Sequence, residues 1–307
     1  MQEGQPKRQI TEALAPSPAG VSLSDVELAT LSPRHREALE KLEHGYELAC
    51  SNEGFTAYLH VLAHLYAYSP RNIMLVFAQM PEATAVNSYE RWKAAGRQVK
   101  KGERGLKVFY PRHRVVTRKD EGGGEERRQV LIGFGVGNVF DVSQTDGPAI
   151  EPPPPPEVRF ATSDVAGKLT NRLASFLIGK GVRVEQKPLT NVRGYFDPVK
   201  REIALNDALP RDDGWLKTLG HETAHFLAGD TAGWEGRPLR EFIAEAATYA
   251  ALLAEGVDTS AYSLDYIKWW TREPGMVKVA MPEIALVTKQ LITIMEGERP
   301  EAMGEWL

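Results

Sequence analysis

The sequence predicts an α+β protein with two domains joined by a proline-rich linker. The chain has 307 residues, which is more than most single hydrophobic cores contain. Five consecutive prolines, Pro152–Pro156, predict a semi-rigid extended spacer. Helical spacing of apolar residues and short strand-like stretches occur on both sides of it. We therefore expect a polar tail (1–25), a first domain (26–148), the linker (149–160) and a second domain (161–307).

The first domain is predicted to open with helices and to end in an antiparallel sheet. Ser32-Pro33 and Ser69-Pro70 each offer a capping serine followed by proline at the first helical position. Further helices are expected from Phe55 to Tyr68 and near Ser88–Ala95. Strands are expected at 106–110, 115–116, 130–134 and 136–141, with a hairpin tip at Gly122–Gly124.

The second domain is predicted to contain a small sheet flanked by helices. A helix at 164–179 precedes strand-like stretches at 182–195 and 202–205. Three more helices are expected at 214–228, 239–254 and 281–296.

Composition narrows the class of protein. No stretch approaches the roughly 20 apolar residues that a membrane-spanning helix needs, and the first residues lack the apolar centre of a secretory signal. The single cysteine, Cys50, excludes an internal disulfide and a cysteine-rich zinc site. We therefore expect a cytoplasmic protein with no membrane partner.

The net charge of −4 conceals an uneven distribution. Between Arg91 and Lys119 there are eleven basic residues and one acid, Glu103, so this segment carries +10 and the remainder carries −14. Aromatic residues are interleaved with the cations. Because cations follow phosphates while rings stack on exposed bases, the segment predicts binding of single-stranded nucleic acid. The expected contact residues are Arg91, Trp92, Lys93, Arg97, Lys100, Lys101, Arg104, Lys107 and Tyr110, with Tyr89 and Phe109 as further stacking candidates.

The strongest chemical signal is the pentapeptide from His221 to His225. Residues four apart share one face of a helix, so both imidazoles can bind one metal ion, and Glu222 can reach a water on that ion. Asp212 or Asp213 is a candidate cap for this helix, and Gly229 a candidate end. The pattern predicts a Zn²⁺ site with Glu222 as general base, which passes the proton to the leaving amine.

A third ligand has to be a carboxylate, because no other histidine follows the prolines. Glu241 and Glu245 fall on one face of the next predicted helix. We favour Glu245 as the ligand, with Glu241 as the alternative ligand or as a partner of an imidazole. Candidate donors to the oxyanion are Tyr249, Tyr195 or Arg240, and the strand at 202–205 is a candidate for pairing with an extended peptide.

Three sequence segments resemble the amino-terminal domain of ArdC-type antirestriction proteins, within a resemblance that covers roughly residues 35–255. The segments are Tyr68–Asn72, Trp92–Gly105 and Val139–Gly147. In that family a domain that binds single-stranded DNA precedes a zincin-like metallopeptidase domain. The resemblance implies the same order here, with zinc on His221, His225 and an acid of the 241–245 pair. It also implies a role in protecting a mobile element's DNA from host restriction.

Two other functions compete with a DNA-associated metallopeptidase. The protein could shield single-stranded DNA by occupancy alone, with the second domain structural. It could also be a regulatory protease that cuts a repressor, although such a protease has no obvious need of the basic segment.

Overall fold

The computed structural model describes residues 31–119, 125–148, 163–209, 213–229, 237–260, 263–264, 267 and 274–297. The predicted tail (1–25), the linker (149–160), the tip at Gly122–Gly124 and the candidate cap Asp212 lie outside these residues.

Three helices open the described chain, and each begins after a serine cap. They are α1 (Pro33–Leu48), α2 (Asn52–Leu65) and α3 (Pro70–Gln79). The hydroxyls of Ser32, Ser51 and Ser69 accept hydrogen bonds from first-turn amides, which otherwise have no partner within the helix. The two Ser-Pro helix starts are therefore confirmed, while α2 begins three residues earlier than predicted and ends at Leu65.

A long antiparallel hairpin follows. The elements are β1 (Val86–Asn87), α4 (Tyr89–Ala94), β2 (Gln98–Val99), β3 (Leu106–Lys119), β4 (Glu125–Asp141) and β5 (Thr145–Asp146). β4 lies between β1 and β3, and β2 pairs with β5. All four predicted segments are strands, but the predicted breaks between them were wrong, because they are pieces of two continuous strands. Glycines and charged residues interrupt the apolar alternation of these strands, but the pairing continues past a single register shift to their outer ends.

Side chains of the helices fix the base of this hairpin. Asn72 on α3 bonds to Phe109 in both directions: its amide nitrogen donates to the carbonyl and its amide oxygen accepts from the backbone N–H, each at 2.8 Å. His35 on α1 lies 3.0 Å from the carbonyl oxygen of Phe134 through Nε2. Both strands are thereby tied to the helices at their inner ends.

The second half of the described chain is a small mixed sheet covered by helices. Its elements are α5 (Ser163–Gly179), β6 (Arg183–Lys187), β7 (Gly194–Asp197), β8 (Glu202–Asn206), α6 (Asp213–Ala228), α7 (Arg237–Ala254) and α8 (Pro274–Glu296). β8 is central, with β6 parallel and β7 antiparallel to it. α8 begins seven residues earlier than predicted because the helix continues through Pro282, which by sequence marks a helix start.

One apolar core runs through both halves. The ring of Phe55 on α2 stacks on Phe242 of α7 with centroids 5.2 Å apart, and both side chains are fully buried. Tyr66 at the end of α2 donates from its hydroxyl to Glu296 of α8 at 2.7 Å. The two parts that the sequence separates at the prolines therefore pack directly against each other.

Within the described ranges, no helix has both the length and the apolar composition that crossing a membrane requires.

We expect Phe55→Ala to destabilise the whole molecule. Loss of a fully buried ring leaves a cavity between α2 and α7, at a cost of about 3–5 kcal/mol in the free energy of unfolding. Urea denaturation followed by circular dichroism measures it. Leu48→Ala, at a side chain 36% exposed, is the control and should have a small effect. If Phe55→Ala changed the unfolding free energy no more than Leu48→Ala, the shared core would not be a stabilising contact.

Candidate metal centre and nucleic-acid interface

The two histidines of the pentapeptide meet on one face of α6. Leu216, Leu219 and Ala224 bury the opposite side of this helix. The Nε2 atoms of His221 and His225 are 3.1 Å apart, as expected for residues one helical turn apart. Gly229, with φ of +64°, follows the last residue of the helix. The predicted helical placement of the pair is confirmed.

Glu241 on α7 completes a cluster of three ligand atoms. Its Oε2 lies 3.4 Å from Nε2 of His221 and 3.7 Å from Nε2 of His225. In a tetrahedral site with bonds of about 2.0–2.1 Å, ligand atoms are about 3.3 Å apart, so the three distances fit one metal ion. This is the only such His, Cys, Asp and Glu group among the residues that the structure describes. Sequence reasoning favoured Glu245, but the geometry groups Glu241 with the two histidines.

Glu245 lies on the other side of the His221 ring. One carboxylate oxygen is 3.2 Å from Nδ1 of His221 and the other is 2.9 Å from Nζ of Lys217. A ligating histidine usually donates its second N–H to a carboxylate, which fixes the orientation of the ring. The position of Glu245 is therefore that of a partner of the imidazole. Sequence reasoning missed Lys217, although its spacing of four from His221 places it on the same face of α6.

The charges of this cluster stabilise one another. Burial disfavours the charged form of His221, but hydrogen bonds to Glu241 and Glu245 outweigh that effect and raise the pKa of His221 to about 9. Hydrogen bonds from His221 and His225 hold the pKa of Glu241 well below its usual range. Burial opposes ionisation of Glu245, yet the bond from His221 and the charge of Lys217 lower the pKa of Glu245 to about 2. The pocket thus holds both carboxylates in their ionised form.

Glu222 is a buried carboxyl beside this cluster. Glu222 is 7% exposed, and its carboxylate accepts a hydrogen bond from the backbone N–H of Phe196 on β7. Burial raises the pKa of Glu222, whereas the charges of His221 and His225 act against that rise. A carboxylate with a raised pKa is a stronger proton acceptor, so this environment suits a general base.

The structure separates the predicted oxyanion donors from one another. The hydroxyl of Tyr195 donates to Glu202 at 3.0 Å, and its neighbour Phe196 packs on Phe226 of α6. Successive strand residues point to opposite faces, so Tyr195 points away from α6. Tyr249 is buried on α7 with its hydroxyl 3.5 Å from Nε2 of His60 on α2. Sequence reasoning missed His60, because nothing local places a residue 189 positions away.

The strand at 202–205 cannot pair with a substrate, contrary to the sequence prediction. It forms β8, whose two sides already pair with β6 and β7. The edge strand next to the centre is β7. The backbone N–H of Asn206 donates to the carbonyl of Arg193. Because successive residues of a strand direct their backbone groups alternately toward and away from the neighbouring strand, Gly194 and Phe196 direct theirs away from β8.

Three of the predicted DNA contacts have structural roles instead. Trp92 is 2% exposed and donates from Nε1 to the carbonyl of Phe140, so it has no free ring face for a base. Phe109 is 7% exposed in the core. Arg97 is 9% exposed, and its guanidinium binds the Thr145 side chain and backbone carbonyls, including that of Pro148. The sequence predicted these residues as nucleic-acid contacts because composition does not distinguish a buried ring or cation from an exposed one.

The other predicted contacts remain on the surface or at its margin. They are Arg91, Lys93, Lys100, Lys101, Arg104, Lys107 and Tyr110, with Tyr89. A cavity of about 540 Å³ joins several of these residues, and its walls include Tyr89, Lys100, Lys101 and Phe140. Tyr89 is 43% exposed, and its hydroxyl accepts from Gln98 at 2.9 Å, which fixes the ring at the rim. A fixed ring beside two lysines offers stacking and charge together.

We expect Glu241→Gln and Glu245→Gln to differ in their effect on metal affinity. Loss of an imidazole partner costs about 10–100-fold in affinity, so Glu245→Gln should fall in that range. Glu241→Gln should exceed it, because a ligand atom is replaced. Competition for Zn²⁺ with a chromophoric chelator measures both, with Glu40→Gln on the surface of α1 as control. A larger loss in Glu245→Gln would restore Glu245 as the ligand.

Comparison with known proteins relates residues 36–140 to a family. Residues 36–140 match the model of the N-terminal domain of anti-restriction factor ArdC. An uncharacterized protein of Bacillus anthracis, pXO2-81, is 27% identical over 260 residues, which cover 72% of this chain and 44% of that protein. The chain thus spans less than half the length of this relative.

Two crystal structures of the antirestriction ArdC protein from R388 plasmid are also similar. The metal-free structure is 19% identical with a TM-score of 0.44, over 75% of this chain and 85% of that one. The Mn(II)-bound structure is 18% identical with a TM-score of 0.45, over 75% and 84%. Residues 36–140 are therefore similar to the N-terminal domain of the ArdC family.

Proposed function

We propose that this protein is an antirestriction metallopeptidase that binds single-stranded DNA and acts in the cytoplasm when a mobile element enters a cell. The observation that carries the peptidase proposal is the triangle of His221, His225 and Glu241 ligand atoms beside buried Glu222. The family of the first domain supports the antirestriction setting. Two imidazoles and one carboxylate favour Zn²⁺ among the common divalent ions.

The proposed reaction is hydrolysis of a peptide bond. A divalent ion held by these three residues would supply Lewis acidity, which polarises the carbonyl and lowers the pKa of a water. Glu222 accepts the proton of the attacking water and later delivers it to the leaving nitrogen. The N–H of Phe196 holds the Glu222 carboxylate in place, and Glu245 with Lys217 holds the ring of His221.

The proposed binding site of the substrate is the edge of β7. Gly194 and Phe196 direct backbone groups away from β8, and the Phe196 amide already reaches Glu222. An extended peptide that added as a strand on this edge would run past Glu222. Gly194 packs closely on α6, where a Cβ atom would meet the Thr218 side chain at 2.7 Å, so the strand lies directly on the helix of the centre.

The proposed single-strand site is the cavity beside Tyr89. Lys100 donates from Nζ to the carbonyl of Ser143 at 2.7 Å, lies 3.9 Å from a carboxylate oxygen of Asp146 and remains 42% exposed, so its ammonium group is held at the cavity wall. Lys101 and Arg104 add exposed positive charge nearby, and Tyr89 offers a ring for a base. Affinity from such a site is mainly electrostatic and falls as salt rises.

We expect Lys100→Glu/Lys101→Glu to abolish salt-sensitive binding of a 30-nucleotide oligo(dT). Two phosphate contacts are lost and two repulsive charges are added, so affinity at low salt should fall by well over tenfold. Fluorescence anisotropy across a salt series measures it. Lys168→Glu/Lys200→Glu is the matched control, with the same change in net charge at exposed lysines outside the basic segment. An equal loss in both variants would show that net charge, and not this site, governs binding.

We expect Glu222→Gln to remove proteolysis while Zn²⁺ stays bound. General acid–base catalysis contributes about 10²–10⁴-fold, so cleavage of fluorescein-labelled casein should fall by that factor, with or without oligo(dT). Zinc content by atomic absorption and oligo(dT) affinity should equal those of the wild type and of Glu40→Gln. If the wild type itself does not cleave while DNA protection persists in Glu222→Gln, protection by occupancy replaces the peptidase proposal. Cleavage of a repressor, without any dependence on DNA, would favour a regulatory protease.

A further inference from the structure

The outer part of the β3–β4 hairpin is a free-standing two-stranded ribbon. Every side chain from 112 to 117 and from 127 to 132 is exposed, and this part of β4 pairs only with β3 among the described strands. The register shifts between Arg112 and His113, which leaves Ile132 as an extra residue in β4. The inner ends of both strands are tied to α1 and α3, as described above. The ribbon is therefore an arm with a fixed base.

Positive charge dominates residues 112–117 and 127–132, which form the shaft of this ribbon. Arg112, Arg114, Arg127 and Arg128 are all exposed, and none forms an ion pair within the described part of the chain. No Asp or Glu occurs at 106–117 or 127–140. By sequence, residues 118–126 carry two basic and four acidic residues, so the excess of positive charge belongs to the shaft. A polyanion is the partner that complements this charge.

Exposed branched aliphatic side chains lie between the arginines. Val115, Val116, Val130, Leu131 and Ile132 are 41–59% exposed. Cross-strand pairing puts Arg114 opposite Val130 and Val116 opposite Arg128, so one face presents two arginines and two valines side by side. Apolar groups exposed in this way are unusual on a surface without a partner. A ligand that meets this face must offer both anionic and apolar groups.

Duplex DNA fits these properties better than a single strand does. Single-strand sites depend mainly on Trp, Tyr and Phe for stacking, and the shaft at 112–117 and 127–132 contains none of these three, with the smaller imidazole of His113 as its one ring. A two-stranded ribbon enters the major groove, which is about 12 Å wide and displays guanine acceptors for arginine and thymine methyl groups for aliphatic side chains. Six residue pairs at about 3.3 Å each give the arm a reach of about 20 Å.

We propose that the outer β3–β4 ribbon is a binding site for duplex DNA, separate from the single-strand site beside Tyr89. Arg114 and Arg128 contact base edges or phosphates from one face, while Val116 and Val130 pack against the groove. This inference stands independently of the single-strand site and of the metal centre, because it uses none of their residues.

The test compares Arg114→Gln/Arg128→Gln with the wild type by fluorescence anisotropy of the full chain. The probes are a blunt 30-base-pair duplex and the 30-nucleotide oligo(dT), each across a salt series. Duplex affinity should fall by at least tenfold, and the slope of log affinity against log salt should weaken by about 1.8, for two lost contacts. Oligo(dT) affinity should change by less than about twofold. Thermal unfolding checks that the variant is folded.

Two controls make the result specific. Arg34→Gln/Arg36→Gln removes the same charge from exposed positions on α1 and should leave duplex affinity unchanged. Lys100→Gln/Lys101→Gln should weaken oligo(dT) binding and retain duplex binding, which separates failure of the single-strand proposal from failure of this one. Absence of duplex binding by the wild type, or equal losses in both arginine variants, would overturn the proposal. So would ribbon-dependent binding to phosphatidylglycerol vesicles in the absence of duplex binding.

Discussion

The burial of α7 is the constraint on which the candidate metal centre depends. Every residue from 242 to 253 is buried, and Phe242 stacks on Phe55 of α2. A helix enclosed on all sides cannot rotate without breaking such contacts, because protein interiors are close-packed. The rotation that the core imposes directs Glu241 to the space between the two imidazoles and Glu245 to the back of the His221 ring. The buried charge of Glu245 is tolerated because His221 and Lys217 lie against it.

Local chemistry made part of this predictable from the sequence. The Ser-Pro pairs predicted the starts of α1 and α3, and the spacing of His221 and His225 predicted a shared helix face, because both depend on residues a few positions apart. The choice between Glu241 and Glu245 depends on how α7 is rotated against α6, which residues far apart in sequence determine. The same limit explains Trp92 and Arg97: their burial depends on Phe140 and Thr145, nearly fifty positions away. The contact between His60 and Tyr249 joins residues 189 positions apart, so no local pattern could predict it.

The shared core also determines how DNA and a protein substrate are related in space. α2 packs on α7, which carries Glu241, and α3 holds the hairpin through Asn72. The base of the hairpin and the centre therefore belong to one packed body within the described residues. On the proposed function, a substrate is a protein that already lies close to DNA, because a rigid link brings its peptide to β7 at a fixed distance. Effective concentration, more than a deep specificity pocket, would then select it.

Electrostatics of the centre are consistent with exchange of a proton for a divalent ion. Without an ion, the raised pKa of His221 lets that ring carry a positive charge between two carboxylates. Binding of an ion requires an unprotonated Nε2, so a proton leaves while Glu245 and Lys217 keep Nδ1–H oriented. The cluster thus loses one positive charge with the proton and gains two with the ion, and the carboxylates of Glu241 and Glu245 offset the net gain of one. The ion also acts on Glu222, whose pKa is raised by burial: a nearby divalent charge favours its carboxylate form, the form a general base needs.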